Sequence, residues 1–220
     1  NLLASEAQAA TKPAEQSSLR NPILPLDATG DDSPDTWIFR HNGKYWINYT
    51  SSGKLVYRSA TRIGELADAP ERQIWPSAGQ SEPDDRNQEL WAPETHKLKG
   101  KWYVYYTANG GASDFGKHRM YVLESQTKSP AGPYAFKGEL SVAQPFAIDG
   151  SAIELNGRLY YAYSGGPSVM PTSIYFVELS NPWTIKGEPF LISTPDFDWE
   201  KNVLPINEGP EFLVHGKDLH

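Results

Sequence analysis

Lys99-Gly100-Lys101-Trp102-Tyr103-Val104-Tyr105-Tyr106-Thr107 reads as a tight turn followed by an aromatic strand. Glycine supplies the positive φ of a two-residue hairpin turn, a basic residue follows, and flat aromatic side chains suit a pleated, half-buried surface. The pattern stands upstream as His41-Asn42-Gly43-Lys44-Tyr45-Trp46-Ile47-Asn48-Tyr49-Thr50 and downstream as Asn156-Gly157-Arg158-Leu159-Tyr160-Tyr161-Ala162-Tyr163-Ser164, with a last start at His215-Gly216-Lys217. The four glycines are 57, 57 and 59 residues apart. The first three strands also end alike, in Tyr49-Thr50, Tyr106-Thr107 and Tyr163-Ser164.

Each hairpin is followed by a third strand candidate, at 55–60, 118–125 and 173–180, and by a Pro-containing connection with room for a fourth strand. Four-stranded repeats of about this length are the blades of a β-propeller, which closes with four to eight of them. A β-sandwich is the alternative, but it does not account for one spacing recurring. Three blades are complete and a fourth stops at His220 partway through its second strand, so the chain is expected to be an incomplete propeller over residues 21–220. Residues 1–20, small and polar, read as a loosely attached tail left after signal-peptide removal, which points to secretion, or as an arbitrary boundary.

Twelve Tyr, seven Trp and eight Phe, with eighteen Gly and eighteen Pro, fit a chain of short strands and many turns. A net charge of −7 argues against nucleic acid, whose binding requires clustered Lys and Arg. There is no Cys, so disulfides and thiolate metal sites are excluded, and no stretch approaches the ~18 apolar residues of a membrane span. The sequon Asn48-Tyr49-Thr50 lies inside a strand and is discounted as a glycosylation site.

In a propeller the innermost strands border the central channel, so residues at equivalent offsets converge. Eight residues ahead of each hairpin Gly stand Asp35, Ala92, Asp149 and Glu208, and in the second repeat Glu94 follows two residues later. Any one such acid is most simply a turn or cap residue. Three in one register point to shared chemistry, since clustered carboxyls push one another's pKa apart, as acid and base catalysis requires. The five histidines are scattered, with no His-x-x-x-His pair for zinc, and read as surface or strand-end residues. The commonest reaction needing only carboxylates is glycoside hydrolysis. Trp91 is read as a platform for the apolar face of a sugar, or as a core residue between blades. Glu94 is read as a ligand of sugar hydroxyls, or as a partner of the neighbouring blade. Tyr49, Tyr106 and Tyr163 are read as inter-blade packing.

At these residues the chain resembles glycoside hydrolase family 43. Asp35-Thr36-Trp37-Ile38 with Gly43-Lys44-Tyr45-Trp46, Leu90-Trp91-Ala92-Pro93-Glu94, Ala147-Ile148-Asp149-Gly150 and Asn207-Glu208-Gly209-Pro210 look like the family's motifs, in order. The family commonly has Pro directly after its first Asp. Here Thr36 follows, Pro34 precedes, and Asp31 and Asp32 lie nearby, but the register from Gly43 selects Asp35. The resemblance implies a five-bladed propeller, of which about three and a half blades are present, and an inverting mechanism. Asp35 would be the general base, Glu208 the general acid, and Asp149 the group that orients the sugar and keeps Glu208 protonated. It implies no cofactor for the chemistry, and a structural Ca²⁺ or similar ion on the axis held partly by a His of the missing fifth blade, with no metal ligand in this chain. Inversion requires ~6.5–9.5 Å between base and acid, against ~5–5.5 Å for retention.

The segments His118-Arg119-Met120-Tyr121-Val122-Leu123-Glu124 and Ser180-Asn181-Pro182-Trp183-Thr184-Ile185 look like the family's arabinofuranosidase-type members. The expected substrate is therefore an arabinose- or xylose-containing oligosaccharide or polysaccharide, cut at terminal α-L-arabinofuranose. A β-xylosidase or arabinanase of the same family, a non-catalytic carbohydrate-binding propeller and a protein-interaction propeller are the alternatives.

Overall fold

The computed structural model describes residues 35–76, 84–216 and 218–220. The tail at 1–20, the stretch 21–34 and the neighbouring acids Asp31 and Asp32 lie outside the described residues. Three antiparallel meanders of four strands follow one another along the chain. The first contains β1 (Trp37–His41), β2 (Lys44–Ser51), β3 (Lys54–Ala60) and β4 (Arg72–Trp75). The second contains β5 (Trp91–Leu98), β6 (Lys101–Ala108), β7 (Arg119–Ser125) and β8 (Tyr134–Glu139). The third contains β9 (Phe146–Leu155), β10 (Arg158–Gly166), β11 (Ser173–Asn181) and β12 (Thr184–Ser193). A two-stranded hairpin, β13 (Val214–His215) with β14 (Asp218–Leu219), ends the described chain.

The repeat therefore has the blade form expected from its spacing, and all three third-strand candidates are strands. At the first hairpin of each sheet both turn residues have positive φ, as a type I′ turn demands. The angles are 47° and 73° at Asn42-Gly43, 49° and 80° at Lys99-Gly100, and 50° and 77° at Asn156-Gly157. The right-handed twist of such turns matches the twist of the strands they join, and so fixes the register of each pair.

The sheets pack face to face in series, the arrangement of propeller blades rather than of a two-layer sandwich. Leu55, Ile74 and Trp75 of the first sheet pack with Val104, Tyr106 and Leu123 of the second. Tyr105, Met120 and Val122 of the second pack with Ala147, Leu159, Tyr161 and Tyr163 of the third. Each such side chain, once removed from water, contributes about 1.5–3 kcal/mol. Tyr106 and Tyr163 thus bridge neighbouring sheets as expected. Tyr49 differs: it packs among Ile47, Val56 and Leu66 of its own sheet, and its hydroxyl donates to Glu71 (2.6 Å) and accepts from Arg58 Nε (2.6 Å).

Polar ties cross between sheets as well. Asn48 is buried, and its Nδ2 donates to Pro93 O (3.1 Å) and Thr95 Oγ1 (2.9 Å), so the sequon residue holds blade to blade. Two of the three hydroxyls that follow the repeated tyrosines, those of Thr50 and Ser164, have a related role. Thr50 Oγ1 donates to Leu90 O (3.0 Å), and Ser164 Oγ accepts from Gly209 N (3.0 Å), each gripping the chain where it enters the next sheet.

Candidate active site

Just before or within the leading strand of each sheet the backbone makes the same local excursion. In β5 the register slips between Trp91, opposite Thr107, and Glu94, opposite Tyr105. In the β9–β10 pair it slips between Ser151, opposite Ala162, and Ile148, opposite Ser164. These are β-bulges, with Ala92 and Asp149 inside them. Both adopt the left-handed conformation, at φ 43° and 51°, and Asp35, two residues ahead of the Trp37–Asn48 pair, matches them at φ 53°. A bulge whose first residue is left-handed bends the strand and re-aims that residue's side chain. Aspartate tolerates this conformation better than most residues, whereas alanine gains nothing from it.

The excursions lead into a single cavity of about 340 Å³. Asp35, Asp149 and Glu208, singled out by their offset, all line it, and so do Trp91 and Glu94. Glu208 arrives differently from the two aspartates, since in its segment the left-handed residue is the next one, Gly209, at φ 67°. The third sheet holds that segment. Asn207 N donates to Thr172 O (3.0 Å), its Nδ2 donates to Ser193 Oγ (2.8 Å) and Glu200 Oε1 (3.0 Å), and Gly209 N donates to Ser164.

A fifth carboxyl, Glu211, lines the cavity and is hydrogen-bonded to Glu94. The repeated offset does not pick it out. The only signal in the sequence is its place three residues past Glu208, in the turn Glu208-Gly209-Pro210-Glu211. Trp37, a cavity-lining aromatic, sits at the position equivalent to Glu94, one residue beyond the bulge.

Crowded acids in a partly desolvated space resist ionisation. Burial pushes the Asp149 carboxyl up to about 7, helped by the charges of Glu208, Asp35 and Glu94. Glu208 is raised by burial and then by Asp35. Glu211 is raised by burial and by its contact with Glu94. Because these acids raise one another, their protons titrate as those of a cluster rather than of a single acid.

Two histidines depart from the surface role expected of them. His96 is mid-strand in β5, its Nε2 2.7 Å from Glu94 Oε2, and its ring packs on Trp37 with centroids 4.8 Å apart. His118 is fully buried beneath Trp91, the rings 3.6 Å apart and 27° from parallel, with Nδ1 donating to Phe115 O (2.9 Å). Burial lowers its pKa, so a neutral imidazole backs the indole. Trp91 is thus both cavity wall and packed residue, and Phe115, 58% exposed, stands beside it with centroids 5.6 Å apart. Among the described residues no group of three or more His, Cys, Asp or Glu is set to hold an ion. These residues alone make no cage for the axial Ca²⁺ that the resemblance implies.

Blade-like sheets whose leading strands and adjoining segments bring five carboxyls and two indoles to one cavity define a class, the all-β propeller with an acid-lined pocket. The chain belongs to glycosyl hydrolases family 43, whose model it matches over residues 19–219. It is 36% identical over 215 residues to an extracellular exo-α-(1→5)-L-arabinofuranosidase of Streptomyces avermitilis, covering 94% of this chain and 43% of that protein. To a protein of the same name from Streptomyces chartreusis it is 33% identical over 214 residues, covering 94% and 61% respectively. Among solved structures, an α-L-arabinofuranosidase from Lactobacillus brevis superimposes with a TM-score of 0.73 at 29% identity, over 88% of this chain and 62% of that one. The chain therefore spans about half the length of the curated relatives it matches.

Proposed function

We propose that the protein is a secreted, inverting glycoside hydrolase that removes terminal α-L-arabinofuranosyl residues from plant oligosaccharides or polysaccharides. The observation that carries this reading is the meeting of Asp35, Asp149 and Glu208 in one cavity, from parts of the chain up to 173 residues apart. The names of the relatives support the sugar and the extracellular setting. Among the described residues no helix is long and apolar enough to cross a membrane.

In this reading Asp35 deprotonates a water molecule, which attacks the anomeric carbon. Glu208 protonates the departing glycosidic oxygen, and its raised pKa suits an acid that must hold its proton near neutrality. Asp149 lies between their influences and hydrogen-bonds the sugar. Its negative charge, once its own proton is lost, keeps Glu208 protonated. A water between base and sugar needs ~6.5–9.5 Å between Asp35 and Glu208. No cofactor enters these steps.

We read the three sheets and the last hairpin as part of a five-bladed ring, about three and a half blades of it. Phe190, Leu191 and Ile192 on β12 are 72%, 55% and 60% exposed, an apolar surface suited to a further blade. The test is hydrolysis of nitrophenyl α-L-arabinofuranoside against nitrophenyl β-D-xyloside by the full-length protein, with the anomer of the released sugar followed by NMR. The β-anomer as first product is expected. Loss of about 10²- to 10⁴-fold in kcat is expected in Glu208→Gln. Unchanged turnover in Glu208→Gln and Asp149→Asn would refute the assignment.

A further inference from the structure

Two of the five cavity carboxyls, Glu94 and Glu211, have no part in the transfer chemistry above. They come from β5 and from the segment after Glu208, 117 residues apart, and they touch. Two carboxyl groups can hydrogen-bond to each other only when one of them carries a proton. Glu94 Oε2 also lies 2.7 Å from His96 Nε2, with both side chains only 10–12% exposed, and as a carboxylate it can only accept there. The hydrogen bonds therefore run from His96 to Glu94, with Glu211 as the acid that donates to the same carboxylate.

We infer that Glu211, held by Glu94 and His96, is a specificity-determining residue that binds ring hydroxyls of the sugar as a neutral acid. The inference rests on the sugar-cavity reading above and deepens it. With the one acid proton held between them, the pair offers acceptor oxygens on two neighbouring carboxyl groups, the complement of two adjacent sugar hydroxyls that donate. Trp37 and Trp91, lining the same cavity, offer faces for the apolar side of the ring. Such a polar pair rejects sugars whose hydroxyls fall elsewhere, because the wrong ring leaves the buried groups unpaired.

The groups that face Glu211 all oppose its ionisation or leave it unaided. Glu94 and His96 stand on β5, Asp149 on β9, and Asp35 and Glu208 on the adjoining segments. Tyr105 packs edge-on against His96 with centroids 5.8 Å apart, and among the described residues no Lys or Arg lines the cavity. Raising the pH above neutrality should ionise Glu211 against Glu94 and weaken sugar binding.

The test is calorimetric titration of L-arabinose and D-xylose into the full-length protein between pH 5.5 and 8.5, for the wild type, Glu211→Gln and Glu211→Ala, alongside KM and kcat. Glu211→Gln keeps a neutral donor. It should bind L-arabinose within about threefold of the wild type at pH 6 and lose the weakening above pH 7. Glu211→Ala should bind about 10-fold less tightly than the wild type at pH 6, the loss of one neutral hydrogen bond, and show no further weakening above pH 7, with KM carrying more of the change than kcat. A merely structural role would lower kcat and melting temperature in both variants and leave the pH dependence in place, which would overturn the inference. Near-wild-type affinity in Glu211→Ala, or a wild type that binds neither pentose, would overturn it too. If the wild type binds L-arabinose through Glu211 yet cleaves no arabinofuranoside, the inference stands and the hydrolase reading falls.

Discussion

In the folded chain Asp149 keeps its proton up to about pH 7, whereas a carboxyl in an unfolded chain loses it near pH 4. Between those limits the folded state binds a proton that the unfolded state lacks, so raising the pH favours unfolding. The slope for one proton is at most about 1.4 kcal/mol per pH unit. Asp149→Asn should therefore abolish turnover while flattening the fall in melting temperature between pH 5 and pH 8. Thermal melts across that range check it, and equal pH slopes in the two proteins would count against it. Ala92 makes a second, opposite case. The left-handed backbone costs a residue with a Cβ about 1–2 kcal/mol, and glycine's added chain entropy returns about 0.5–1 of it. Ala92→Gly should raise the melting temperature by a degree or more. The strain itself is invisible in the sequence, where Ala92 is simply the repeat's missing acid.

At the scale of elements, turns and strands were legible because their causes are local: positive φ at Gly43, Gly100 and Gly157, and the aromatic runs after them. The bulges of β5 and β9 were not, since each keeps the spacing to the glycine that made the offset informative. Glu211 escaped because its partner Glu94 comes from another blade, and the buried His118 because Trp91, which covers it, stands far away in sequence within its own blade. The bulge in β9 depends on a missing side chain. A Cβ at Gly150 would meet the hydroxyl of Tyr161 at 1.6 Å. Gly150→Ala must therefore displace the Tyr161 ring or Asp149. A stability loss of about 1–3 kcal/mol, read from urea unfolding, is expected together with reduced turnover. Ser164→Ala removes the acceptor of Gly209 N and should cost about 1–3 kcal/mol. Turnover should fall by about tenfold or more as Glu208 loses its anchor. Unaltered kinetics would show that the segment is held elsewhere.

At the scale of the molecule, the repeat length made the blade architecture legible, while the number of blades rested on the resemblance. The apolar side chains of β12 bear on that number. If another blade covers them in the full-length protein, Phe190→Asp should destabilise it well beyond the ~0.5 kcal/mol typical of an exposed site. A change within that margin would show that Phe190 faces solvent. The threefold recurrence of one backbone excursion has a further consequence for redesign. Because the bend of the chain, not the identity of the residue, sets the aim at Asp35, Ala92 and Asp149, the second blade keeps an unused mounting point facing the same cavity. A short polar graft at Ala92, Asn before all others, would reach into the cavity from a direction that no native hydrogen-bonding side chain occupies at that post, and would offer a way to retune the pocket without touching its five carboxyls.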